Sequence, residues 1–144
     1  MQTTNIEYQI NAYPWARSFH LAQTEPNTLI YPIYKTQERE PLFHWFCPIY
    51  PPTPVYLFGL KASDTSQMRD LSSLRDKVVG VTRHDNSHTY LEELGFIDKF
   101  NLDVVGEPLD NLRNLVAGRI DAIVQTEASL QYRANRLGLS MDLF

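Results

Sequence analysis

Three times between Lys77 and Gly138 a short β-branched run gives way to an amphipathic segment that stops at a glycine. A chain whose hydrophobic period alternates between about two and about 3.6 residues encodes βα units, which assemble around a parallel sheet. Val78-Val79-Gly80-Val81-Thr82 reads as a buried-type strand, followed by the polar turn Arg83-His84-Asp85-Asn86 and a helix from about Ser87 to Leu94 ended by Gly95. Leu102-Asp103-Val104-Val105 is the second strand, and Leu109, Leu112, Leu115 and Val116 mark one face of a helix that Pro108 opens and Gly118 closes. Ile120 to Gln125 is the third strand. Thr126 can cap the helix after it, and Leu130, Ala134 and Leu137 form that helix's stripe before Gly138.

The residues before Lys77 lack this rhythm and hold eight of the nine prolines and most of the aromatic residues. Ile6 to Ile10 alternates as a half-buried strand, and Pro14 in a first helical turn starts a helix whose Trp15, Phe19 and Ala22 share a face. Thr28 to Tyr34 is a further strand candidate. Pro48, Pro51, Pro52 and Pro54 forbid a helix, after which Val55 to Leu60 runs extended. Lys61 to Arg75 is polar, and Asp64, Thr65 and Ser66 predict a surface connection. The organisation expected is a partial first lobe over 1–60, a connection over 61–76 and a second lobe of βα units over 77–144.

A length of 144 residues suffices for one ordinary domain or two small lobes. The net charge of −4 offers no basic face, which argues against nucleic acid as a partner. The single cysteine, Cys47, lies in the apolar run Phe43-His44-Trp45-Phe46-Cys47, so it cannot close an internal disulfide and reads as a small buried hydrophobe. Met1-Gln2-Thr3-Thr4-Asn5 lacks the basic and apolar regions of a secretion signal, and no apolar run approaches the roughly 20 residues that span a bilayer.

Four segments then stand in a telling order: Thr36-Gln37-Glu38-Arg39-Glu40, Phe43 to Tyr50, Leu71 to Val81, and Gly118-Arg119-Ile120-Asp121-Ala122. Together they resemble family 3 of the bacterial extracellular solute-binding proteins, in which a Thr-x-x-Arg segment precedes a Phe-Ser-x-Pro-Tyr-like stretch and a Leu-x-x-Leu-x-x-Lys-x-Val-Gly-Val entry into the second lobe. The resemblance implies an α/β, periplasmic-binding-protein-like fold of type II, two small lobes with parallel-type sheets, and an incomplete first lobe. The strand and helix that usually precede the region of Ile6, and the usual return after Phe144, have no counterpart, so truncation at both ends and self-association through the incomplete lobe are expected. It further implies capture of a small polar or carboxylate-bearing molecule for the membrane permease of an ABC-type transporter, in the periplasm, with no cofactor and no catalysis. The same fold resembles the ligand-sensing domains of membrane receptors, the alternative reading, and more remotely periplasmic dehydratases.

The resemblance also implies site residues. Arg39 matches the arginine that grips a ligand carboxylate, a task suited to a planar fork making two parallel charge-assisted bonds. The alternative is a surface arginine paired with Glu38 or Glu40. The family's Gly-Ser-Thr-like turn at a helix N-terminus reads here His84-Asp85-Asn86-Ser87. Asn86 and Ser87 can donate or can simply cap the helix, and Asp85 would repel an anion. Thr126 stands where an acidic residue usually pairs with a ligand ammonium; a hydroxyl cannot balance that charge, and capping is its other role. Trp15 and Arg17, with Tyr13 beside them, stand where a subset of the family places cleft-facing residues, although Trp15 also fits the core stripe. Tyr34 takes a position usually held by a small hydroxyl residue and would narrow the pocket.

Other chemistry has weaker support. His84 and His88 are four apart, a metal spacing only if both lie on one helix, and a start at Ser87 leaves His84 outside it. No Gly-x-Ser-x-Gly elbow, Walker-type loop or Gly-x-Gly-x-x-Gly fingerprint occurs. Glu38/Glu40 and Glu92/Glu93 read as solvated faces.

Overall fold

The structure, a computed structural model, describes residues 6–51, 53–63, 68, 70–97 and 101–144. The segment from Met1 to Asn5 and the expected connection at Asp64-Thr65-Ser66 lie outside these residues.

The three expected strands form as β2 (Val79–Thr82), β3 (Leu102–Val105) and β4 (Ala122–Gln125), joined by β1 (Tyr56–Phe58) in one sheet of order β1-β4-β2-β3. β2 is central and parallel to both neighbours, with Val79 opposite Leu102 on one side and Ala122 on the other. β1 pairs antiparallel, Tyr56 opposite Gln125, so the extended passage before Leu60 adds an edge to the sheet. Among the described residues four α-helices accompany these strands: α1 (Trp15–Thr24), α2 (Asn86–Glu93), α3 (Pro108–Val116) and α4 (Glu127–Leu137).

Apolar clusters form on both faces of the sheet, as a central parallel strand requires. Val79 and Val81 join Leu74, Leu91, Phe96 and Leu102 in one cluster, while Leu112, Leu115, Ile120, Ile123, Leu130 and Ala134 form the other. Strand alternation sends the valines of β2 to the first face and leaves Gly80 and Thr82 for the second. A Cβ on Gly80 would lie 2.5 Å from Ile120 Cδ1 and 2.8 Å from Asn111 Oδ1, so α3 packs against bare backbone there. Asn111 Nδ2 donates to Thr82 Oγ1 at 3.3 Å across the same contact. Asp121 is structural: its Oδ2 accepts from the Val78 amide at 2.8 Å and ties the entry of β4 to that of β2. Gly138 ends α4 with φ +67°, the left-handed conformation expected of a helix-terminating glycine.

The N-terminal part departs from expectation. α1 forms, and its Phe19 meets Phe43 edge-on at 5.5 Å, with Trp45 a further 5.6 Å from Phe43. The strands expected at Ile6–Ile10 and Thr28–Tyr34 do not form; Tyr8 is 82% and Leu29 78% exposed. Alternation gives Ile6–Ile10 an apolar side, but a strand also needs a neighbour to take its backbone hydrogen bonds. Among the described residues neither segment has one. Cys47 is exposed rather than buried, because the apolar run around it packs through Phe43 and Trp45 and no described element covers the chain beyond.

Candidate functional site

A polar junction lies where the N-terminal part meets the turn after β2. Arg39 is only 6% exposed there, which sets aside the surface-arginine reading; Glu40 pairs instead with Lys35 at 2.7 Å. Nη2 of Arg39 donates to the His84 carbonyl at 2.8 Å, and Nη1 to the Tyr34 carbonyl at 3.4 Å. Nε1 of Trp15 donates to the same His84 oxygen, also at 2.8 Å. The Arg39 guanidinium carbon lies 5.6 Å from the ring centres of both Trp15 and Phe19, so two aromatic faces shield and attract the cation.

His84 adopts φ 60°, a left-handed conformation that costs a side-chain-bearing residue about 1–2 kcal/mol. The tight turn is held by the Asp85 amide on the Thr82 carbonyl at 2.9 Å and by the His84 amide on His88 Nδ1 at 3.3 Å. It presents a single carbonyl oxygen to two donors from the other part of the chain. Because His88 Nδ1 is used this way and Nε2 lies 3.3 Å from Glu92, the two imidazoles do not converge on a metal; among the described residues no group of three His, Cys, Asp or Glu could hold one.

The other expected residues are distributed unevenly. Asp85, rather than Asn86 or Ser87, caps α2, its Oδ1 accepting from the Asn86 amide at 2.7 Å. Ser87 Oγ is buried without a hydrogen-bond partner. Asn86 lines a separate cleft of about 550 Å³ between α2 and the Thr36–Glu38 passage, with Glu38 and Glu93 on its walls. Tyr34 contributes its carbonyl rather than its ring, and Arg17 stacks over Tyr13 at 4.5 Å, away from Arg39's partners. Thr126 caps α4: its Oγ1 accepts from the Ser129 amide at 3.2 Å and donates to Ser129 Oγ at 2.9 Å. Thr126→Ala is therefore expected to lower stability by about 1 kcal/mol in urea unfolding. A loss of ligand affinity in the folded variant would show that Thr126 touches the ligand as well as capping α4.

Two residues not singled out in the sequence, Arg133 and Gln125, pair at the C-terminal end of β4. Arg133 on α4 is partly buried and donates through Nη1 to Gln125 Oε1, which leaves Gln125 Nε2 buried with no acceptor. Burial pushes the Arg133 guanidinium below its usual pKa, and the Asp85 carboxylate opposes the shift. Arg39 is lowered in the same way by burial, against Asp85 first and Glu38 second. Asp85 thus acts on both cations. The ion pairs among the described residues are Lys35–Glu40, His88–Glu92 and Arg113–Asp110, so among those residues neither Arg39 nor Arg133 has a carboxylate within 4.0 Å. Among the described residues both guanidiniums donate to neutral acceptors, Arg39 to the His84 and Tyr34 carbonyls and Arg133 to Gln125.

No family model and no curated protein matches the chain. Solved structures do. An L-arginine-bound amino acid ABC transporter substrate-binding protein from Streptococcus pneumoniae superposes with a TM-score of 0.71 at 22% identity, over 83% of this chain and 48% of that one. The GluR0 ligand-binding core from Nostoc punctiforme, in complex with L-glutamate, gives 0.72 at 23% identity, over 93% of this chain and 60% of that one. A histidine kinase sensor domain with similarity to periplasmic binding proteins gives 0.51 at 27% identity, over 61% and 38%. The chain thus spans between 38% and 60% of the length of these structures.

Proposed function

We propose that this chain, which has the type II periplasmic-binding-protein fold, belongs to a protein that captures a small carboxylate-bearing solute between two lobes and delivers it to an ABC-type permease. The neighbours on this fold are binding proteins rather than enzymes. One observation carries the reading: Arg39 and Trp15, from the N-terminal part, converge at 2.8 Å each on a single oxygen of the turn after β2. Two donors from one part of the chain aimed at one oxygen of the other form a site where a ligand carboxylate can exchange for the His84 carbonyl, closing the lobes over it. The solute is taken up in the periplasm.

The sensor reading is favoured by the likeness to a histidine kinase sensor domain, the neighbour of 27% identity. Both readings need solute capture by the same residues and differ only in what the closed lobes engage.

A thermal-shift screen of the chain with amino acids, simple carboxylates and polyamines tests capture directly. A carboxylate present at about 100 times its Kd adds about 2.7 kcal/mol and raises Tm by several degrees. No shift with any carboxylate, or turnover of one, would sink the proposal.

A further inference from the structure

We infer that His88 is a positioning residue and a pH-sensitive latch: its neutral imidazole holds the turn after β2 so that the His84 carbonyl meets Arg39 and Trp15, and protonation of that imidazole loosens the junction. Every link is a direct contact. His88 Nδ1 accepts from the His84 amide at 3.3 Å, and the His84 carbonyl accepts from Arg39 Nη2 and Trp15 Nε1 at 2.8 Å each. Amide and carbonyl flank the same Cα, so the φ and ψ of one residue couple them. His84 sits at φ 60°, a conformation disfavoured for a residue with a side chain, and the turn therefore needs a hold. The latch exists whatever the solute; its consequence for affinity rests on the capture reading.

A ring nitrogen accepts a hydrogen bond only while it carries no proton. Nδ1 is the acceptor, so neutral His88 bears its proton on Nε2, which lies 3.3 Å from Glu92 Oε1. A second proton must go to Nδ1. It turns that nitrogen into a donor facing the His84 N–H, and the contact is lost, while the Glu92 carboxylate favours the imidazolium. The other charged groups on the elements that meet this end of α2 are Asp85 at its cap, Arg83 and His84 in the turn, and Glu38 and Arg39 from the N-terminal part; β2, packed on α2, carries none. Of these side-chain types only histidine ordinarily changes charge between about pH 5 and 8, which leaves the exposed His84 imidazole as the group to control for. Under the capture reading the His84 carbonyl competes with a ligand carboxylate for Arg39 and Trp15. Loosening the turn weakens that competitor, so capture tightens as pH falls.

Solvent exchange of the two indole N–H groups, followed by heteronuclear NMR on the 144-residue chain with no solute added, tests the latch. Trp45 Nε1 donates to the Glu40 carbonyl at 3.0 Å, within the N-terminal part, and serves as the reference at each pH. The ratio of Trp15 to Trp45 exchange is expected to rise about tenfold from about pH 8 to about pH 5, the order that loss of one hydrogen bond gives. His84→Asn keeps the carbonyl and suits the left-handed turn, and is expected to show the same rise. His88→Asn, whose Oδ1 accepts at any pH, is expected to give a flat ratio. Glu92→Gln removes the carboxylate that favours the imidazolium and is expected to move the rise to lower pH, which keeps the test alive if His88→Asn fails to fold. A flat ratio in the unaltered chain, a rise abolished by His84→Asn, one that survives in folded His88→Asn, or one unmoved by Glu92→Gln would overturn the latch. Failure of every carboxylate to bind would remove the consequence for affinity and leave these exchange results standing.

Discussion

Replacing Arg39 by methionine is expected to weaken carboxylate binding by about 100-fold or more, the largest loss of any single substitution at the cleft. A guanidinium shielded from water makes two charge-assisted bonds to a carboxylate, each worth about 1.5–3 kcal/mol, and about 3 kcal/mol is already more than a hundredfold in Kd. Methionine keeps an unbranched stem against Trp15 and Phe19, so the aromatic contacts are largely retained while the fork is lost. Arg39→Lys keeps the charge and is expected to recover only part of the affinity, since an ammonium cannot reproduce the planar pair of bonds. Titration calorimetry, with circular dichroism to confirm folding, checks both variants. Retention of affinity in a folded Arg39→Met protein would show that the buried arginine serves only to join the two parts of the chain through the His84 carbonyl.

The largest effect on stability is expected from Leu112→Ala, at about 2–5 kcal/mol. Leu112 is 0% exposed and packs with Leu115, Ile120, Ile123, Leu130 and Ala134. Collapse around the lost methyl groups is resisted from below, where α3 already rests on the backbone of Gly80 and Asn111 is bonded to Thr82. The cavity therefore persists, and its cost adds to the lost transfer energy. Val116→Ala, on the same helix but at a residue 39% exposed, is expected to cost less than about 1 kcal/mol. Urea unfolding distinguishes the two: the midpoint falls sharply for Leu112→Ala with an unchanged slope, and little for Val116→Ala. Equal small losses would mean that α3 is not docked as described.

Arg133 illustrates a signal that was present in the sequence but not read. It interrupts the apolar spacing of α4 at a position three after Leu130 and four before Leu137, and a charge on an inward stripe needs a partner. No such signal marked the loss of the strands at Ile6–Ile10 and Thr28–Tyr34. The alternation of Ile6–Ile10 is authentic, and what both segments lack among the described residues is a neighbour, which a segment's own residues do not encode. Cys47 misled for a related reason, since apolar neighbours in sequence are not apolar neighbours in space.

The sequence alone determined the βα succession from Val78 to Gly138, the helix ends at Gly118 and Gly138, the cap at Thr126 and the candidacy of Arg39, because period, capping and helix termination act over a few residues along the chain. Only the tertiary structure decided that Arg39 and Trp15 meet on one oxygen and that Asp85 caps α2. The Arg39–His84 bond spans 45 residues and the Trp15–His84 bond spans 69. Contacts at such separations arise from how the parts of the chain pack, through burial and charge balance summed over the whole fold, and no local pattern specifies which donors will share an acceptor.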